Sequence, residues 1–224
     1  MKKRGHSRGF TLIEIAIVLV IIGLLLAATL KGQELINNSK VKTYAADFRN
    51  IPVMLYGYQD RFKALPGDDS QVVIHLPAAT LATTPAGTVG NGVLNGTWDT
   101  ALKTDETCLF WQHVRLAGLA PGSTAVNCAP GSSYWPTNPN NGQIGIQSNT
   151  GFATMTAAMN GSYIICSKNI PGEFVLPLDS TLDDGNPATG SMLAIRTSNV
   201  GGAPDTIASV QGNPADSFIV CMSL

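Results

Sequence analysis

The 224-residue chain carries 14 Lys and Arg against 15 Asp and Glu, and charged residues make up only 13% of it. Four of the basic residues, Lys2, Lys3, Arg4 and Arg8, stand at the very start, so the remainder holds ten basic against fifteen acidic residues, a net charge of −5. An acidic body argues against nucleic acid as the main partner, and the low charge with 23 Gly and 13 Pro suits a loop-rich extracytoplasmic domain better than a cytosolic enzyme.

After the basic stretch MKKRGHSRG, residues 10–30 form an apolar run with one charge, Glu14. Twenty-one residues at about 1.5 Å each make roughly 30 Å of helix, the thickness of a hydrocarbon core. The basic flank places the N-terminus in the cytoplasm and sends the rest outward. The run is longer than the apolar region of a secretory signal peptide and no helix breaker follows it, so ordinary signal-peptide cleavage is not expected. A carboxylate on a membrane helix costs roughly 2.5–3.5 kcal/mol on insertion scales, which marks Glu14 as a functional residue in need of a partner.

The order basic residues, Gly9, Phe10-Thr11-Leu12-Ile13-Glu14, uninterrupted apolar run resembles the N-terminus of type IV prepilins and type II secretion pseudopilins. The resemblance implies cleavage by a prepilin peptidase between Gly9 and Phe10, N-methylation of Phe10, and pairing of Glu14 with the N-terminal amine of Phe10 in a neighbouring subunit. It also implies a homo-oligomeric helical filament, an inner-membrane assembly machinery, and storage in the bacterial inner membrane before an extracellular pilus or periplasmic pseudopilus forms. Type IV pilin is preferred to type II secretion pseudopilin. Minor pilin and non-polymerising single-pass binding module remain as alternatives.

From Lys31 the helical pattern continues with a different face. Val41, Tyr44, Phe48, Ile51, Leu55, Tyr58 and Phe62 recur at spacings of three and four, opposite Lys40, Lys42, Asp47, Arg49 and Asp60. Residues 10 to about 64 therefore form one helix, with Gly23 and Gly32 as weak points, a kink from Pro52 expected near Phe48 to Ile51 unless the apolar stripe overrides it, and a stop at Pro66-Gly67. The expected organisation is a leader over 1–9, a membrane and assembly segment over 10–30, an amphipathic spine over 31–64, and a globular α+β head over 65–224.

Residues 66–98 read as loop with one short apolar run, Val72–Leu76. Gly90-Asn91-Gly92 and Gly96 lack the spacing of a phosphate-binding loop and read as a turn. Residues 105–119 read as a helix with Leu109, Phe110, Val114, Ala117 and Leu119 towards one face, and His113 beside Trp111 as a packing or surface residue. Short strands follow at 144–147, 162–168, 190–196 and 218–222, expected to form an antiparallel sheet of meanders.

Cys108, Cys128, Cys166 and Cys221 all follow the membrane segment, in an oxidising compartment. Four cysteines allow three pairings. Cys108–Cys128, which closes a short loop, and Cys166–Cys221, which ties down the C-terminus, are the favoured ones. Asp183, Asp184, Asn186 and Gly190 form a polar turn that offers oxygen ligands for Ca2+ without EF-hand spacing; otherwise no cofactor is expected. No catalytic constellation accompanies the three histidines, and the pairs Asp68-Asp69 and Asp183-Asp184 read as solvated turn residues, so the chain is expected not to be an enzyme.

Overall fold

A computed structural model describes residues 12–224. Helix α1 (Leu12–Phe62) is followed by α2 (Val72–His75), α3 (Glu106–Leu116), strands β1 (Ile144–Ser148) and β2 (Tyr163–Pro171), α4 (Gly172–Leu182), β3 (Met192–Arg196), a 3-10 turn at Thr197–Asn199, α5 (Ile207–Gly212) and β4 (Ser217–Ser223). The chain divides between Lys40 and Val41 into two compact units. The fold is α+β, a long N-terminal helix with a small antiparallel sheet and two disulfides.

Helix α1 runs unbroken through Gly23, Gly32 and Pro52. At Pro52 the missing N–H would ordinarily loosen the helix. Here the apolar residues on either side are locked into the core: Phe48, Ile51, Leu55 and Tyr58 are each 3% exposed or less. The helix ends at Phe62, before the expected stop at Pro66. Lys63 adopts a left-handed φ of 56° and donates its N–H to the Gln59 carbonyl, closing the last turn.

In the unit that begins at Val41, the four strands are all antiparallel, but the expected meander is not what forms. The sheet order is β1-β2-β4-β3, with the C-terminal strand inserted between β2 and β3. The insertion follows from α4, which occupies the link after β2 and carries the chain away before β3 is laid down. Gly172 at the start of α4 lies so close to the Asn213 carbonyl and the Phe218 ring that a Cβ there would clash.

Both faces of the sheet are covered. On one face Ile146, Ile165, Val220 and Ala194 join the α1 stripe, Phe110 and Val114 of α3, and Phe174 and Leu178 of α4 in the main core. On the other face Ile164, Leu193, Ile195 and Ile219 pack beneath Trp98, Met155 and Met159. The strands alternate in side-chain direction as the pleat demands, yet β1 is buried at every position because each side meets a different layer. Cys166 and Cys221, directly opposite in register on β2 and β4, are joined by a disulfide, and a second bridge links Cys108 of α3 to Cys128.

Helix α3 is buried from Glu106 to Arg115 on all sides, not along one stripe as its pattern suggested. Polar residues complete its surroundings. Arg115 donates to the carbonyls of Pro121, Ser123 and Tyr134 and lies over the Tyr134 ring, so one guanidinium organises the loop closed by the Cys108–Cys128 bridge. The run Val72–Leu76 forms the short helix α2, and α4 and α5 arise where turns and loops were expected. Pro177 and Gly172 disguise α4 in the sequence.

Two outcomes follow for the spine. Leu55→Ala, which leaves a void in the core, is expected to lower unfolding stability by roughly 2–5 kcal/mol, whereas Val53→Ala, 70% exposed on the same helix, should change it by less than about 0.5 kcal/mol in denaturant titration. Burial pushes the Asp47 carboxyl up to about 6 from its ordinary 3.8, and its Oδ2 has no hydrogen-bond partner. A carboxyl with a raised folded pKa holds its proton more tightly when folded, so its contribution to stability falls as pH rises from about 3.8 to about 6. Asp47→Asn should flatten that part of the stability-against-pH curve and stabilise the fold at neutral pH.

Candidate assembly and processing site

Gly9 and Phe10 lie outside the described residues. Glu14 lies in the first turn of α1, where a carboxylate faces the positive end of the helix dipole. From Leu12 to Leu30 thirteen large apolar side chains are exposed on every side of the helix, Leu12 to 91% and Leu24 to 68%. This segment is long and apolar enough to cross a membrane, and none of it is buried by the rest of the chain. Removing thirteen such side chains from water is worth on the order of 20–40 kcal/mol at 1.5–3 kcal/mol each. The single carboxylate at Glu14 costs about a tenth of that. The balance commits the helix to a bilayer or to a bundle of other helices, and it leaves Glu14 as the residue on which specificity can turn.

Residues 4–30, 27 of the 224, match the family described as the prokaryotic N-terminal methylation motif. The match supports the resemblance of this N-terminus to those of type IV pilins and pseudopilins. The match covers Gly9, Phe10 and Glu14 together with the apolar run, which fits an inner-membrane-anchored substrate of prepilin peptidase with a structural role. No curated protein and no solved structure matches the chain.

The remaining sequence candidates are dispersed through the head. Asp68 and Asp69 are not solvated: they are 3% and 1% exposed. Asp68 accepts the backbone N–H groups of Gly90, Asn91 and Gly92, so the glycine-rich turn is an anion cradle turned inward on the chain's own carboxylate. The positive φ of Gly90 and Gly92, 88° and 80°, is what lets neighbouring N–H groups converge on it. Burial raises the Asp68 pKa against the opposing effect of these three donors. Asp69 Oδ2 is shared by the Tyr58 hydroxyl at 2.8 Å and His75 Nδ1 at 2.7 Å, while Oδ1 accepts the Gln71 N–H. The pair thus staples the end of α1 to the loop that follows it.

His113 is a packing residue. Its Nδ1 accepts the Gly67 N–H at 2.8 Å, which places the ring proton on Nε2, where it donates to the Thr80 carbonyl at 2.9 Å. Burial lowers its pKa and keeps the ring neutral. Glu106 is fully buried and accepts from Thr88 Oγ1 and from the backbone and side-chain N–H groups of Asn95.

At the end of α4 the geometry assembles a group the sequence had shown only in part. Asp183 and Asp184 meet Asp179, four and five residues earlier, with one oxygen of each carboxylate within 4.8 Å of the others. The Oδ1 of neighbouring Asn186 accepts the Ala188 N–H. Asp183 is half-buried and takes the N–H groups of Ser191 and Met192, whereas Asp184 is exposed and takes those of Asn186 and the Thr189 hydroxyl. Burial pushes Asp179 up to about 6, while the Thr189 hydroxyl and the Asn186 N–H hold exposed Asp184 below its usual range. A helical spacing of i, i+4, i+5 would have found Asp179, had α4 been legible.

Proposed function

We propose that this protein is a structural subunit of a bacterial type IV pilus-like filament, stored in the inner membrane and assembled through its N-terminal helix. The reading rests on one observation: the methylation motif over residues 4–30 runs directly into a helix that is apolar on every side and unburied by its own chain. Residues 1–9 act as a leader removed after Gly9, 10–30 as the membrane and assembly segment, 31–64 as a spine, and 65–224 as the head outside the membrane. Once Phe10 becomes the N-terminus, its amine and the Glu14 carboxylate of a neighbouring subunit offset each other's desolvation in a helix bundle, where either alone would be costly. The same helix serves a bilayer before assembly and a filament core after it.

The head supports assembly by helices in preference to strand addition. The outward N–H groups of edge strand β3 are all occupied: Met192 donates to Asp183, Ala194 to the Pro187 carbonyl and Arg196 to Asp205. At the other edge, β1 is closed by donation from Ile144 to the Pro136 carbonyl and from Ser148 to the Leu94 carbonyl. Trp98 lies directly over Gly145, where its carbonyl would stand 1.9 Å from a Cβ. These contacts obstruct the addition of a further strand at either edge.

Intact-mass measurement of the chain from cells with an active prepilin peptidase should show Phe10 as the N-terminus with one added methyl group. An unprocessed chain beginning at Met1 would sink the filament reading and leave a membrane-anchored binding module. Glu14→Ala should leave membrane insertion intact and sharply reduce the yield of sheared filaments, and a wild-type yield would remove Glu14 from assembly.

A further inference from the structure

We propose that the cavity enclosed by α1, α3 and the loop between α3 and β1 is a binding site for a small organic amine whose hydrocarbon body carries a hydrogen-bond acceptor beside the ammonium group. The cavity has a volume of about 220 Å³. Ile51 and Met54 of α1, Pro121 and Pro136 of the loop and Ile144 of β1 give it apolar walls, and exposed Asn50 brings it to the surface. Asp47 of α1 and Trp111 of α3 also line it, and each carries a polar atom that the chain leaves unused. Among the described residues Asp47 Oδ2 accepts no hydrogen bond, and the Nε1 of Trp111, a residue 2% exposed, donates none. The other two indoles are engaged: Trp98 donates to Thr154 Oγ1 at 2.9 Å and Trp135 to the Cys128 carbonyl at 3.4 Å. Arg115, although in the lining, does not serve Asp47: its Nε, Nη1 and Nη2 donate to the carbonyls of Pro121, Ser123 and Tyr134, and among the described residues no ion pair joins the two. A charged acceptor and a neutral donor are thus both left open at one cavity, each at a cost to the folded chain.

These two atoms and the walls define the occupant. Water is a poor tenant, because each molecule needs two to four polar partners and a cavity of this volume would set several of them against five apolar residues. A bare metal ion would find one carboxylate where Ca2+ takes about six to eight oxygens. An amine answers all three features: its N–H groups make a charge-assisted bond to Asp47, an oxygen beside the nitrogen accepts the Trp111 N–H, and the hydrocarbon body meets the walls. Asp47 is half-buried and the carboxylate torsion of an aspartate is broad and two-fold, so either oxygen can turn to the ligand. The volume lies below the roughly 300–1,000 Å³ of sites for drug-sized ligands, which limits the occupant to about the size of an amino alcohol. A carboxylate kept at a cost to stability and without an internal partner fits a binding role better than a packing one.

The test is titration of the full-length chain in a non-ionic detergent with leucinol, an amino alcohol with an isobutyl body, followed by the NMR resonances of the three indole N–H groups. Leucinol should move the Trp111 resonance, leave that of Trp98 in place, and saturate with a Kd on the order of 1 mM. Isohexanol, which keeps the body and the hydroxyl but lacks the ammonium, should bind at least about tenfold more weakly. Asp47→Asn should weaken leucinol binding at least about tenfold while resisting denaturant at neutral pH as well as the unaltered chain or better, and Trp111→Phe, which keeps a ring in place, should weaken it several-fold. Asp60→Asn, an exposed acid on α1, should leave it unchanged. A Trp111 resonance unmoved at about 10 mM leucinol, as expected if the cavity holds water only, overturns the proposal, as does isohexanol binding as tightly as leucinol or full affinity in Asp47→Asn. Since no readout involves filament yield, the outcome is independent of whether the chain polymerises.

Discussion

The packing of the Val41–Leu55 stripe of α1 into the main core is the contact on which the rest of the head depends. Tyr44, Phe48, Ile51 and Leu55 share one core cluster with residues from α3, α4 and the inner face of the sheet. Helix α1 stays continuous across Pro52 because its neighbours on the stripe are held in that core.

Beyond that stripe, the head is organised by polar groups buried one at a time among apolar layers. Asp68 and Asp69 close the exit from α1, Glu106 and Asn95 close the entry to α3, Arg115 gathers the carbonyls of the loop before β1, and Asn138 binds Ser167 and Lys168 while accepting from Asn140 and Gly142. Each of these residues converts an irregular segment into one with few accessible conformations. A head with long connections and a four-stranded sheet needs such clamps, because regular hydrogen bonding reaches only a minority of its backbone. The two disulfides reinforce the same regions, one at α3 and its following loop, the other across β2 and β4.

What the sequence made legible follows the strength of its periodicities. Seven apolar residues at helical spacing placed the α1 stripe residue by residue, and the strands appeared within a few positions of their ends because β-branched runs between glycines and prolines admit little else. Strand order was illegible, since nothing local encodes that β4 enters between β2 and β3; α4 decides it, and α4 hides behind Pro177. The buried aspartates misled for a related reason. Asp68 reads as a turn residue because its partners, the N–H groups at Gly90 to Gly92, are more than twenty residues away and belong to the backbone, which carries no signature in the sequence. At the N-terminus the reverse holds: Gly9, Phe10 and Glu14 fall within the methylation motif matched over residues 4–30 and are recognisable from residue order alone.

Consider finally the occupied edges of the sheet. Chains anchored in one membrane by such a helix would share a thin layer of space, so their heads would meet far more often than free proteins at the same cellular copy number. An open strand edge under such crowding invites irreversible stacking of one head on another. With Met192, Ala194 and Arg196 already satisfied within the chain, heads crowded in this way would present one another no free N–H group along β3 and could be dense yet stay separate.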